Sequence, residues 1–397
     1  MTAESFSLHL QSLVLVCILV LVSSTDFNFP DVFNFGDSNS DTGDRTAGLG
    51  IRLDLPNGQT SRLHLGDSIL WHYLEQNKVN VDAMDMPFLN PYLDSIGAPI
   101  FRKGCNFAAA GSTVLPATVN AISPFSFRIQ VDQFLHFKAR VLRLLAKGIP
   151  FSVLMPFAFK TASLDFMPSF CYPAGKKFDK YIPREDFFAK GLYMFDIGQN
   201  DIASGLYSKS FDQVVASIPA ILVEFETGLK TLYDQGARNV WIHNTGPVGC
   251  LPQNLARFGT DPSKLDEMGC LSNHNQAAKL YNLQLHALAI KLRGQYPDAN
   301  ITYGRYFLRF EQPLMACCGY GGPPLNYDAS ISCGQTKIMN GTSVTVKACD
   351  DSTEYVIWDG IHYTEAANEF VSSQILTGRF SDPPFADKMA SLMKNKF

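Results

Sequence analysis

The chain has 397 residues, 46% of them hydrophobic and 18% charged, with a formal net charge of −4. That balance describes an ordinary globular protein with enough apolar material for a substantial core. No basic run is present that would track phosphates, which argues against nucleic acid as a partner.

The first element is a leader. The apolar run "LVLVCILVLV", residues 13–22, precedes the small residues "SST" and reads as a secretory signal cleaved near Ser24 or Thr25. About ten apolar residues are too few to cross a bilayer, and no later segment approaches spanning length, so no transmembrane anchor is expected after cleavage. The expected organisation is a signal peptide over 1–25 and a single domain over 26–397, with loop insertions near 115–185 and 311–350. The first insertion is rich in Phe and Pro, the second in Gly, Cys and polar residues. Both are expected on the rim of the fold, where α/β enzymes build their pockets.

Short β-type runs alternate with helical stretches. Strands are expected at 32–35, 104–108, 192–197, 240–243 and 301–303, and helical periodicity covers 213–233 and 275–292. This alternation predicts a parallel sheet with helices on both faces.

Gly-Asp-Ser occurs twice. Ser38 ends the first strand in a turn, at the carboxyl edge where open α/β sheets place their sites. Ser68 instead precedes Ile69, Leu70, Tyr73 and Leu74 at helical spacing, where it or Asp67 caps a helix. A nucleophilic serine needs a base, and the base needs an orienting acid. "VIWDGIHYTEAANEF" places Asp359 three residues before His362 where a helix begins. From there the carboxylate can reach Nδ1 and leave Nε2 for the serine. Acyl transfer also requires donors for the oxyanion. Asn200 of "FDIGQND" lies just past the third strand, with Asp201 beside it as a control residue that helps shape the turn. Gly111 of "GCNFAAAGST" lies past the second strand, where the missing Cβ lets a backbone N–H approach closely. The Gly-x-Ser-x-Gly elbow of α/β-hydrolases is absent, as is a ligand cluster for a hydrolytic metal.

In combination and in this order, "FNFGDSNSDTG", "GCNFAAAGST", "FDIGQND" and "WDGIHYT" resemble the GDSL esterases and lipases of the SGNH hydrolase superfamily. The likeness is to the large plant branch and runs from about Val32 to about Phe380; "HNTGPVGCLP" and "CCGYGGPPLNY" share it. The resemblance implies a flavodoxin-like three-layer α/β/α sandwich and a Ser38–His362–Asp359 triad. It also implies an oxyanion hole from the Ser38 and Gly111 N–H groups and the Asn200 amide, and no cofactor. One departure is Asn39, where the family's name motif has Leu.

Besides Cys17 in the leader, the chain has eight cysteines, and an even number in a secreted chain suggests disulfides. Cys250 and Cys270 flank a polar loop and can close it. The neighbours Cys317 and Cys318 are poorly placed to bridge each other and are expected to reach Cys333 and Cys349, in either of two connectivities. Cys105 and Cys171 are a pair or two buried thiols. Sequons at Asn300 ("NIT") and Asn340 ("NGT") fit the secretory route as glycosylation acceptors.

The expectation is a secreted carboxylic-ester hydrolase working through an acyl-enzyme on a small-molecule or glycan-linked ester. Its destination is extracellular, the cell wall or apoplast in a plant, with the vacuole as an alternative. Acetyl-sugar, phenolic and acyl-lipid esters all suit the motifs. Two rivals are an acyltransferase using the same residues and a non-catalytic glycan- or wall-binding protein that keeps the fold.

Overall fold

A computed structural model of the chain describes residues 29–51, 89–94, 99–117, 121–146, 178–304, 314–376 and 379–384. The leader, Ser68 with its cap, Cys171 and residues 147–177 of the aromatic stretch lie outside the described residues.

Five strands run parallel: β1 (Val32–Gly36), β2 (Gly104–Asn106), β3 (Leu192–Asp196), β4 (Asn239–His243) and β5 (Asn300–Gly304). A hairpin of β6 (Thr336–Met339) and β7 (Thr342–Thr345) stands apart from them, and β8 (Ser381–Asp382) adds an antiparallel edge beside β5. The sheet order is β2-β1-β3-β4-β5-β8. All five expected strands are present, and this mostly parallel sheet with helices on both sides is a three-layer α/β/α fold.

The helices that matter for the site are four long ones, α1 (Phe127–Ala146), α3 (Phe211–Asp234), α4 (Ser272–Gln295) and α5 (Glu365–Leu376), and the short α2 (Gln199–Gly205). The two expected helices fall within α3 and α4. Helix α1 does not match the sequence reading, which placed 115–185 on the rim. Its Phe127, Phe134 and Phe137 are core residues. The spacing of seven between Phe127 and Phe134 repeats every two turns, so both rings project from one helix face.

The period-two alternation of β1 explains what the sheet does with its two faces. Phe33 and Phe35 point into one face, beside Phe107, Tyr193 and Phe195 from neighbouring strands and the α1 rings. Phe35 stacks on Phe195 at 5.1 Å, and Phe33 meets Phe134 edge-on at 5.4 Å. Removing one such ring costs about 3–5 kcal/mol. Asn34 points to the opposite face, in register with Asn106 of β2. There its Nδ2 donates to Asn106 Oδ1 at 2.7 Å. The strand that leads to Ser38 thus has an aromatic side for stability and a polar side for the site.

Residues 314–358 form an outlying segment with a small core of its own, where Cys318, Ile331 and Val346 are buried against Trp358. Of the two connectivities open in the sequence, the structure has Cys317–Cys349 and Cys318–Cys333, and Cys250–Cys270 closes its loop as expected. Cys105 is a buried free thiol.

Candidate active site

Strand order reverses between β1 and β3, and in open α/β sheets that switch point is where ligands bind, outside the carboxyl ends. Ser38 follows β1 there, in the turn closed by Ser40 N–H donating to Asp37 O at 3.2 Å. Gly36 must be glycine: a Cβ would lie 2.6 Å from the Asp196 carbonyl oxygen and 2.5 Å from Ser40 Oγ. Gln130 of α1 holds Gly36 from the helix layer, accepting from its N–H at 2.9 Å and donating to its C=O at 2.7 Å. Asn106 Nδ2 donates to Ser40 O at 2.6 Å and to Thr42 Oγ1 at 2.9 Å. Asp37 Oδ1 accepts from Asn39 N–H at 3.1 Å and from Gln199 Nε2 at 3.0 Å. Asp37 is fully buried; burial and the nearby Asp196 charge push its carboxyl well above the usual range, against the pull of Asn39, His362 and Gln199. Burial also raises Asp196 to about 7, opposed by the Asn39 side chain. Asn39, the departure from the name motif, therefore faces a buried carboxylate, where a Leu would supply no donor.

Gly111 and Asn200 come together across the switch point. Asn200, in the first turn of α2, donates one Nδ2 proton to Ser112 O at 3.0 Å. An amide has two such protons, so one remains for another acceptor. Gly111 has φ 78°, and a Cβ there would meet Ile122 Cγ2 at 2.6 Å. Asp201, expected to be a control residue that helps shape its own turn, instead reaches across to the loop after Gly111. Its two oxygens accept from Val114 N–H at 2.8 Å and Leu115 N–H at 3.0 Å. Burial lifts it to about 6 against those bonds.

The candidate acid and base, Asp359 and His362, come from the far end of the chain. Asp359 Oδ2 meets His362 Nδ1 at 2.8 Å, while Oδ1 accepts from the Ile361 and His362 N–H groups at 3.1 and 2.9 Å. The three-residue spacing works because those backbone bonds fold 359–362 into a tight turn that aims the carboxylate at its own histidine. Side-chain exposure is 26% for His362 and 24% for Asp359, so the pair is largely buried but still open to solvent. Burial lowers the His362 pKa, but the Asp359 charge and hydrogen bond, with Asp37 and Asp41, outweigh it and hold the imidazole above its ordinary value. The same partnership holds Asp359 below the usual carboxylate range despite burial.

Sequence reasoning missed Gln130, Gln199, Asp41 and Asn106. Asp41 and Asn106 stood in quoted motifs, but nothing in a linear motif shows that a polar side chain is buried. Gln130 lies 94 residues from its partner, on the unexpected helix. Among the described residues, no group of three His, Cys, Asp or Glu side chains is placed to hold a metal ion.

Comparison with known proteins gives this geometry a family. A sequence profile for the GDSL-like lipase/acylhydrolase family matches residues 32–375. One GDSL esterase/lipase of Arabidopsis thaliana is 54% identical, over 97% of both chains. A second from that plant is 48% identical over 89% of this chain and 90% of its own, and a third is 41% identical over 89% and 88%. With the profile covering the five parallel strands and every site motif, the chain belongs to the GDSL-like lipase/acylhydrolase family and is a serine ester hydrolase.

Proposed function

We propose that the chain is a secreted carboxylic-ester hydrolase in which Ser38 is acylated and then hydrolysed. Ser38 Oγ attacks the ester carbonyl carbon while its proton passes to His362 Nε2, the ring nitrogen opposite Asp359. The carbonyl oxygen becomes an oxyanion, accepting from the Ser38 and Gly111 N–H groups and from the second Asn200 Nδ2 proton. Collapse expels the alcohol, which takes the proton from His362. Water then attacks the acyl-enzyme by the same route, releasing the carboxylic acid and restoring Ser38. Asp359 orients the ring and stabilises its charged form. The observation that carries this reading is the 2.8 Å bond between His362 Nδ1 and Asp359, which leaves Nε2 for the serine.

Secretion is supported by the leader-like N-terminus and three disulfides. Of the two sequons, Asn340 stands exposed at the tip of the β6–β7 hairpin with φ 48°. Asn300 opens β5 and has Nδ2 committed to Asn239 Oδ1 at 3.1 Å, with Thr302 buried. Asn340 is accordingly the glycan acceptor in this reading.

The test is product analysis with 4-nitrophenyl esters of short and long acids, with and without an added alcohol. Release of free acid without the alcohol, abolished in Ser38→Ala, supports hydrolysis. Turnover only when an alcohol is supplied would make the chain an acyltransferase. Undiminished hydrolysis by Ser38→Ala would remove Ser38 from the chemistry.

A further inference from the structure

Gly111 sits in a loop with no regular secondary structure, so sheet or helix bonding cannot fix the direction of its N–H. A backbone bond from Ser112 N–H to Ala109 O at 3.1 Å closes the turn around it, and side chains from the elements after β1 and β3 hold that turn on either side. On one side of Gly111, Ala110 N–H donates to Asp41 Oδ2 at 2.8 Å. On the other, Ser112 O accepts from Asn200, and Val114 and Leu115 N–H both donate to Asp201. Asp41 belongs to the turn after β1 and Asp201 to the helix after β3, so the two carboxylates grip the loop from the two elements that flank the switch point.

Both groups are spent on backbone donors. Besides Ala110, Asp41 accepts from the Gly43 and Asp44 N–H groups at 2.7 Å each, and it is fully buried. A buried charge of this kind is costly unless hydrogen bonds compensate it. An ionised carboxylate offers two acceptor oxygens and no donor, which is what a row of N–H groups requires. An amide of the same shape would turn an NH₂ toward one of those N–H groups and lose the bond. The chemistry at these positions therefore selects carboxylate over its isostere.

We propose that Asp41 and Asp201 are positioning residues that preset the Gly111 N–H for the oxyanion. The inference rests on the oxyanion hole assigned above. Removing a direct oxyanion donor costs roughly 10²–10³ in kcat. Releasing one grip on the loop shifts a donor without deleting it, so a loss of about ten- to a hundredfold is expected.

The experiment uses Asp41→Asn, Asp201→Asn and, as reference, Asn200→Ala in the full secreted chain. Steady-state kinetics are measured beside the inhibition constant of a trifluoromethyl ketone, whose adduct on Ser38 carries a tetrahedral oxyanion. The melting temperature of each preparation shows that it is folded. The expected result is a lower kcat with KM within about threefold, and weaker ketone inhibition in proportion to the loss of kcat/KM. A side chain that only stabilises the fold would lower the melting temperature and leave the ketone constant unchanged. If Asp41→Asn does not fold, Asp201→Asn decides the matter alone. If Asn200→Ala weakens catalysis and ketone binding while the folded aspartate variants do neither, this inference is overturned and the oxyanion hole stands. If Asn200→Ala also changes neither, the oxyanion assignment itself is wrong.

Discussion

The chain holds the Ser38 turn and the Asp359–His362 turn by different means. The Ser38 side is tied to the sheet. Gln130, Asn106, Asp41 and Gln199 engage its backbone and carboxylates from α1, β2, the turn itself and α2. The Asp359–His362 side hangs from the cystine-bonded segment. Cys317 N–H donates to Ile357 O at 2.9 Å and Cys318 N–H to Trp358 O at 2.6 Å, each from a disulfide-bonded residue. A nucleophile and its oxyanion donors must share one rigid frame, because their geometry decides transition-state binding. A base needs only to be brought up to that frame, and a cross-linked strap can do so far from the main core.

Four experiments break or sharpen this contrast. The largest effect is expected from Asp359→Asn, which leaves the fold but loses the charge that orients and supports His362. In triads generally this change costs about 10⁴ in kcat. The His362 pKa is held up by Asp359, so the acid limb of the rate profile should move to lower pH in the variant as the imidazole loses its proton more readily. A pH–rate series on both proteins checks the direction.

A smaller loss should follow from cutting the strap. Cys318→Ser/Cys333→Ser removes the bond closing a 15-residue separation and should cost about 2–5 kcal/mol of stability. Displacement of the base by about 1 Å would lower kcat roughly 10²-fold. Activity measured well below the variant's melting temperature separates misplacement from unfolding. Wild-type kcat in that folded variant would mean that the strap does not position His362.

The sheet side has its own signature in pH. Burial raises Asp31 and Asp44 to about 8, Asp196 to about 7 and Asp201 to about 6. The folded chain therefore binds these protons more tightly than the unfolded one. Their contribution is full below the unfolded carboxylate value and is lost as pH rises from about 4 to about 8. The raised His362 adds to the same trend; the lowered Asp359 opposes it at the acid end, and the buried His243, lowered to about 3, and His274, also lowered, oppose it below the ordinary imidazole value, but the four raised carboxylates outnumber them. The melting temperature should thus be higher near pH 5 than near pH 8. A scan across that range, with the opposite slope as the contrary outcome, tests it. The smallest effect is expected at Asn340→Gln, which should remove one glycan and its mass while leaving kcat unchanged, since Asn340 is exposed on a hairpin that is not bonded to the parallel sheet.

The same contrast explains how far the sequence could be read. Strands β1 to β5 are buried on both faces and appear as short apolar runs, so they were legible. Ser38, Gly111 and Asn200 were proposed for the site because each follows such a run at its carboxyl end. Asp359 and His362 were legible because their contact is local. Helix α1 was not, since its Phe residues lie among Pro-flanked aromatics whose total content suggested a loop. Nor were Gln130 and Asp41, whose roles depend on partners 94 and 69 residues away. The choice between the two cystine pairings also depended on three-dimensional approach, which spacing alone does not contain.

The most direct test of the account is reaction of the secreted chain with a fluorophosphonate, followed by peptide mass mapping. Phosphonylation needs an activated serine and an oxyanion hole, so it reads both halves of the site at once. The account predicts one adduct per chain, on the peptide containing Ser38, absent in Ser38→Ala and strongly slowed in His362→Ala. An adduct on another serine, or an active chain that forms none, would contradict it.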